Sequence, residues 1–233
     1  MRRGLRAGLG LAQGLFARMR VSTGDYSGAN CHAPGLRRQW RAMRPKLVRL
    51  VALAWVFACG VSTAQESYEI DGTHTTPMYE VTHAGMSLQR GFFTSVQGRV
   101  VLDRKAKKGS IDVVISTGSI TTSSRVLNDV LKRGDYFNSE KYPAMRYVSS
   151  DLVFDGDVPV AANGELTLLA VTKPVPIKIA NFHCGTHPLF HRAACSAEVT
   201  ATLRRSEFGM TGGLPSDVGD EVRIVIPVEA IAE

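Results

Sequence analysis

The stretch CGTHPLFHRAAC holds Cys184, His187, His191 and Cys195, a Cys-x2-His-x3-His-x3-Cys pattern whose residue types suit tetrahedral zinc. In an oxidising compartment the same two cysteines would instead join as a disulfide. The linkage would close a hairpin-like loop with the histidines solvated on it, stabilising by roughly 2–3 kcal/mol. The disulfide is the preferred reading because exported thiols oxidise; two free thiols with bound zinc would mark the other. Elsewhere, His74 and His83 flank one short run and could face each other, and Asp71 and Glu80 form a potential carboxylate pair. A single strand histidine is more often a hydrogen-bonded structural residue, and the two acids read as a turn acid and an outward strand acid. The sequence holds no Gly-x-Ser-x-Gly elbow, His-Glu-x-x-His helix, phosphate-cradling glycine loop or dinucleotide fingerprint. No catalytic residue, metal or cofactor is therefore expected, and the chain reads as a non-enzyme.

Whether the cysteines meet oxidising conditions depends on the leader. Arg44, Lys46 and Arg49 precede the apolar run LVALAWVFA and the small residues Cys59 to Ala64, the order of a secretory signal peptide spanning 43–64. The run is about half the ~20 residues that cross a bilayer. Cleavage after Ala64 would leave Gln65 first, remove Cys31 and Cys59, and place the protein in the periplasm; a lipoprotein signal ending at Cys59 is the weaker alternative. Residues 1–42 read as an over-long gene start or a disordered leader. The charge of +7 also belongs to this part: residues 1–64 carry 11 Lys and Arg against Asp25, whereas 65–233 carry 17 against 20, a net −3. The basic balance thus gives no nucleic-acid footprint.

Residues 65–233 form one predicted domain built from short alternating runs. These are Met78–His83, Phe92–Asp103 with a bulge or close approach at Gly98, Ser110–Ser116, Ala144–Phe154, Glu165–Ala170, Val175–Asn181, Ser196–Arg204 and Glu221–Ala230. Asp155-Gly156 and Asn163-Gly164 read as hairpin dipeptides. Pro174 and Pro176 place the Val175 run after a turn, at an edge or bulge. Only SSRVLNDVLKRGDYF has helical spacing, with serine before it and Gly134 after. About eight antiparallel strands dispose of their edges by closing, so the expected fold is all-β, a closed antiparallel barrel with one short helix near its mouth.

Six stretches in order resemble the YceI-like family: YEIDGTHTTPMYEVTHAG, GFFTSVQGRVVLD, LKRGDYFNSEKYPAMRYVSSDL, GELTLLAVTKPVPIKI, RRSEFGM and VGDEVRIVIPVEA. The resemblance implies an exported, lipocalin-like barrel that binds a polyisoprenoid lipid, a polyprenyl quinone or polyprenyl phosphate. It departs from the family pattern at Thr75-Thr76-Pro77, at Leu169-Ala170 where Arg/His-Gly is usual, and at Glu207 where Asp is usual.

Alternation then assigns a lumen: Tyr79, Val81 and His83, then Ile111, Val113, Ile115, Met145, Tyr147, Leu166, Leu168, Ile177, Ile179, Val199, Ala201 and Leu203. Leu127, Leu131 and Phe137 would cover the opening, and His83, Arg205, Tyr79 and Tyr147 would meet a head group. Each could equally be an ordinary core residue. Expected partners are the isoprenoid lipid, a membrane or membrane protein in transient contact, and optionally a second copy as a homodimer. Two other functions stay open: an accessory protein of a membrane electron-transfer or stress-response system, and an enzyme acting on a lipid-like substrate.

Overall fold

The computed structural model describes residues 65–233. The leader, the signal peptide, Cys31 and Cys59 lie outside the described residues. The strands are β1 (Glu66–Ile70), β2 (Met78–His83), β3 (Ser87–Phe93), β4 (Val96–Asp103), β5 (Lys108–Ser116) and β6 (Ile120–Thr121). After helix α1 (Arg125–Leu131) come β7 (Ala144–Asp155), β8 (Val158–Leu168), β9 (Val171–Pro174), β10 (Ile177–Thr186), β11 (Ala193–Arg204) and β12 (Val218–Ala232).

Eight of these close a ring in the order β1-β4-β5-β7-β8-β10-β11-β12, with β1 antiparallel to both β4 and β12. No edge is left on this circuit. β12 is long enough to serve two neighbours: residues 230–232 pair with β1, and residues 218–225 pair with β2. β3 and β6 continue from β2, and β9 pairs with β8.

Alternation holds along β2, β5 and β11 because each is regular there. The predicted run from Phe92 is instead two strands, broken at Thr94-Ser95. β3 lacks alternation, being exposed through residues 87–90. Gly98 is a close approach: a Cβ there would lie 2.3 Å from the Asp112 carbonyl oxygen on β5.

Asn163-Gly164 is not a turn but lies inside β8. Gly164 leaves room for the Tyr147 ring, whose hydroxyl would sit 2.4 Å from an added Cβ. The hairpin falls at Leu169-Ala170, where both residues are left-handed, at φ 53° and 61°. Such a turn needs positive φ at both central positions, a conformation that a Cβ disfavours. Ala170→Gly is therefore expected to stabilise the domain by about 1 kcal/mol, read as a higher denaturant midpoint at unchanged slope.

Cys184 and Cys195 are register partners on β10 and β11 and are joined as a disulfide, so neither thiolate is available to zinc. Helix α1 begins at the Ser124 cap, whose hydroxyl accepts from the Leu127 N–H at 3.3 Å. None of its residues is fully buried. Among the described residues no helix is long and apolar enough to cross a membrane.

Candidate functional site: a hydrocarbon lumen

The ring encloses a cavity of about 230 Å³. Its walls come from alternate residues of β5 (Ile111, Val113, Ile115), β11 (Val199, Ala201, Leu203) and β12 (Val222, Ile224, Ile226, Val228). A second, smaller cavity of about 70 Å³ lies further along the same lumen, towards the Cys184–Cys195 end, among Leu152, Phe182, Cys195 and Ala230. Native interiors normally leave few voids larger than a water. Here the small Ala201 and the short valines of five strands leave the axis open.

No nitrogen or oxygen atom is exposed on the wall of the larger cavity. Several polar groups near it are engaged elsewhere or held aside. Tyr147 donates to the Val175 carbonyl at 3.1 Å. Thr75 donates to the Glu229 carbonyl and accepts from the Glu229 N–H. The Tyr79 hydroxyl lies against Gly91, and burial pushes its pKa up to about 12. Arg205 is 3% exposed and spends its guanidinium on three carbonyls: Gly219 at 2.8 Å, Val218 at 2.9 Å and Met210 at 3.1 Å. Burial lowers its pKa, consistent with its having carbonyls rather than a carboxylate as hydrogen-bond partners.

Tyr79, Val81, Ile111, Val113, Ile115, Leu131, Phe137, Met145, Tyr147, Leu166, Leu168, Ile177, Val199, Ala201, Leu203 and Arg205 all border the larger cavity. Three predicted positions do not. Ile179 faces the smaller cavity. His83 is exposed, because β2 overshoots the ring and pairs with Val218 beyond a bulge in β12. Leu127 sits half-buried on α1, one turn before Leu131, and only the latter reaches the lumen. Arg205 needs a correction of role: its stem borders the cavity but its charged end is bound to backbone. Ile70, Val96, Val100 and the four β12 residues line the lumen and were missing from the predicted set. The β12 alternation already visible in Glu221–Ala230 was sufficient to find that row.

The titratable groups proposed for chemistry lie elsewhere. His74 does not meet His83; its Nδ1 is 2.7 Å from the Asp71 carboxylate in the turn after β1. Glu80 is held by Arg90 at 2.7 Å and Arg223 at 2.8 Å, an outward charge ladder across β3, β2 and β12. Among the described residues Asp71, His74 and Glu229 come close enough to share a cation, and none of them lines the lumen.

The hydrogen bond from His74 holds Asp71 down at about 2, and Asp71 in turn raises His74 above 6.5. The depressed carboxylate contributes stability above its unfolded value and loses it as pH falls towards about 2; the raised imidazole contributes below 6.5 and loses it as pH rises through its folded value. The pair is thus complete between roughly pH 4 and 6.5. Asp71→Asn is expected to return His74 to its ordinary titration, read from its imidazole proton shifts.

Comparison with known proteins places this geometry. The YceI-like domain family pattern matches residues 68–230. Protein YceI of Escherichia coli O157:H7 is 28% identical over 194 residues, covering 82% of this chain and all of that protein. The crystal structure of Burkholderia cenocepacia BcnA superposes with a TM-score of 0.58 at 23% identity, covering 69% of this chain and 98% of that one. A polyisoprenoid binding domain from Saccharophagus degradans, implicated in plant cell wall breakdown, superposes with a TM-score of 0.53 at 14% identity, over 72% of this chain and 99% of that one. These structural likenesses establish the barrel fold.

Proposed function

Because the chain belongs to the YceI-like domain family, we propose that it is an exported periplasmic carrier that holds the tail of a long isoprenoid lipid, a polyprenyl quinone or polyprenyl phosphate, inside its barrel. The observation that carries this reading is a barrel interior left open by the protein's own atoms and walled only by hydrocarbon. Each methylene moved from water into such a wall gains about 0.8 kcal/mol, so a few isoprene units supply affinity without a polar contact. The related domain described as polyisoprenoid binding supports the ligand class. A non-catalytic role fits a lumen on whose wall no nitrogen or oxygen atom is exposed.

The cavity of about 230 Å³ exceeds the roughly 150 Å³ that admits benzene in a dry apolar cavity, yet is small for a complete polyprenyl chain. The tail is therefore threaded lengthwise, with the head group left outside the hydrocarbon section. No cofactor is needed for this task. Loading requires transient contact with a membrane or a membrane protein.

Solvent extraction of the purified protein, followed by mass spectrometry, tests the reading. Co-purified isoprenoid is the expected result; protein that is empty and takes up no prenyl lipid from vesicles would overturn it. Leu131→Asp, which puts a charge at the α1 end of the lumen, should lower the amount retained.

A further inference from the structure

The two cavities are successive parts of one lumen, and four side chains border both: Val100, Ile111, Val199 and Val228. Val100 and Ile111 are register partners on β4 and β5. Val199 and Val228 sit on the paired strands β11 and β12. In the eight-strand ring β5 and β11 are four steps apart in either direction, so Ile111 and Val199 project from diametrically opposed walls. All four belong to one packed core cluster.

We infer that these four side chains form a constriction that sets how far a lipid tail penetrates, and hence the longest isoprenoid chain whose terminal unit is still sheltered. This rests on the lipid-carrier reading. The tail end meets the branched methyls of Ile111 and Val199 and stops; the smaller chamber beyond them stays outside its reach. β-branched side chains suit this role because their χ1 is stiff, so the constriction does not swing aside as a ring of methionines would. The chamber beyond is small, but removing the methyls of Val199 and Val228 would add their volume to its 70 Å³. The enlarged chamber is then on the order of the 150 Å³ that admits benzene, a molecule close in size to one isoprene unit.

Binding of a graded series of all-trans polyprenols tests this. Affinity in the unmodified protein should rise with each unit and then level off at one length. The Val199→Ala/Val228→Ala variant should level off about one unit later, gaining about 100-fold or more for that longer chain. Val199→Leu, which adds a methylene and lengthens the side chain towards Ile111, should level off earlier. Val222→Ala, on the larger cavity alone, should leave the levelling length where it was. Variants that fold, bind prenyl chains and share one levelling length would overturn the inference while leaving the carrier reading intact. Failure of the unmodified protein to bind any chain would instead overturn the carrier reading, and the inference with it. Should the double alanine variant fail to fold, Val199→Leu decides alone.

Discussion

Ala201→Trp is expected to empty the barrel, cutting retained prenyl lipid by about 100-fold or more while leaving the fold in place. Ala201 lies on β11 opposite Ile224, and it packs against both hydrophobic clusters of the interior. Its single methyl is one reason that the axis is open there. An indole at this point enters existing space instead of displacing neighbours, which separates it from ordinary overpacking of a filled core. It takes the room of at least three or four lipid methylenes, worth about 3 kcal/mol of transfer free energy, or about 100-fold in affinity. The measurement is lipid per mole of protein after extraction, with thermal unfolding run in parallel. An unchanged lipid load in a folded variant would mean that the tail does not occupy this lumen.

Arg205→Met should produce the largest loss of stability, about 3–5 kcal/mol, with little direct effect on the hydrocarbon site. The guanidinium bridges the Met210, Val218 and Gly219 carbonyls, and so ties the loop after β11 to the start of β12. Methionine keeps the apolar stem that borders the lumen and removes the donors. Three carbonyls then lose their partner, each costing about 1–3 kcal/mol if it stays dry and less where water can reach it. For a domain of this size, that corresponds to a fall in Tm of roughly 10 °C. If Arg205 instead held a lipid head group, the variant would lose lipid while keeping its melting point. The two outcomes separate a structural arginine from a recognising one.

Most of the wall was legible in the residue pattern. β5 and β11 run without interruption over their predicted spans, so period-two alternation maps directly onto the inner face: Ile111, Val113, Ile115 on one strand and Val199, Ala201, Leu203 on the other. The helix was legible from its serine cap and spacing. Asp155-Gly156 was legible as a hairpin because Gly156 supplies the left-handed residue that the turn needs, at φ 59°. The cysteines were legible as a pair because exported thiols oxidise, and the structure sets Cys184 and Cys195 in register on adjacent antiparallel strands and joins them.

What alternation could not provide was the position of the bulges. In β7 the inward residues are Met145 and Tyr147 before the irregularity at Val148/Asp151, and Leu152 after it, so the parity changes from odd to even. In β10 a break between Ala180 and His183 does the same, taking Ile177 and Ile179 to Phe182. A bulge inserts one unpaired residue and exchanges the two faces from there on. The sequence by itself determined most of the long strands of the ring, the helix, the cysteine pair and the apolar face of the regular strands, because these depend on near neighbours along the chain; β1, β6 and β9 lay outside the predicted runs. Only the tertiary structure decided that the ring closes through β1, that Arg205 turns its charge to backbone, and that four side chains divide the lumen. Each of these depends on which distant strands stand opposite one another across the barrel, and no local period encodes that.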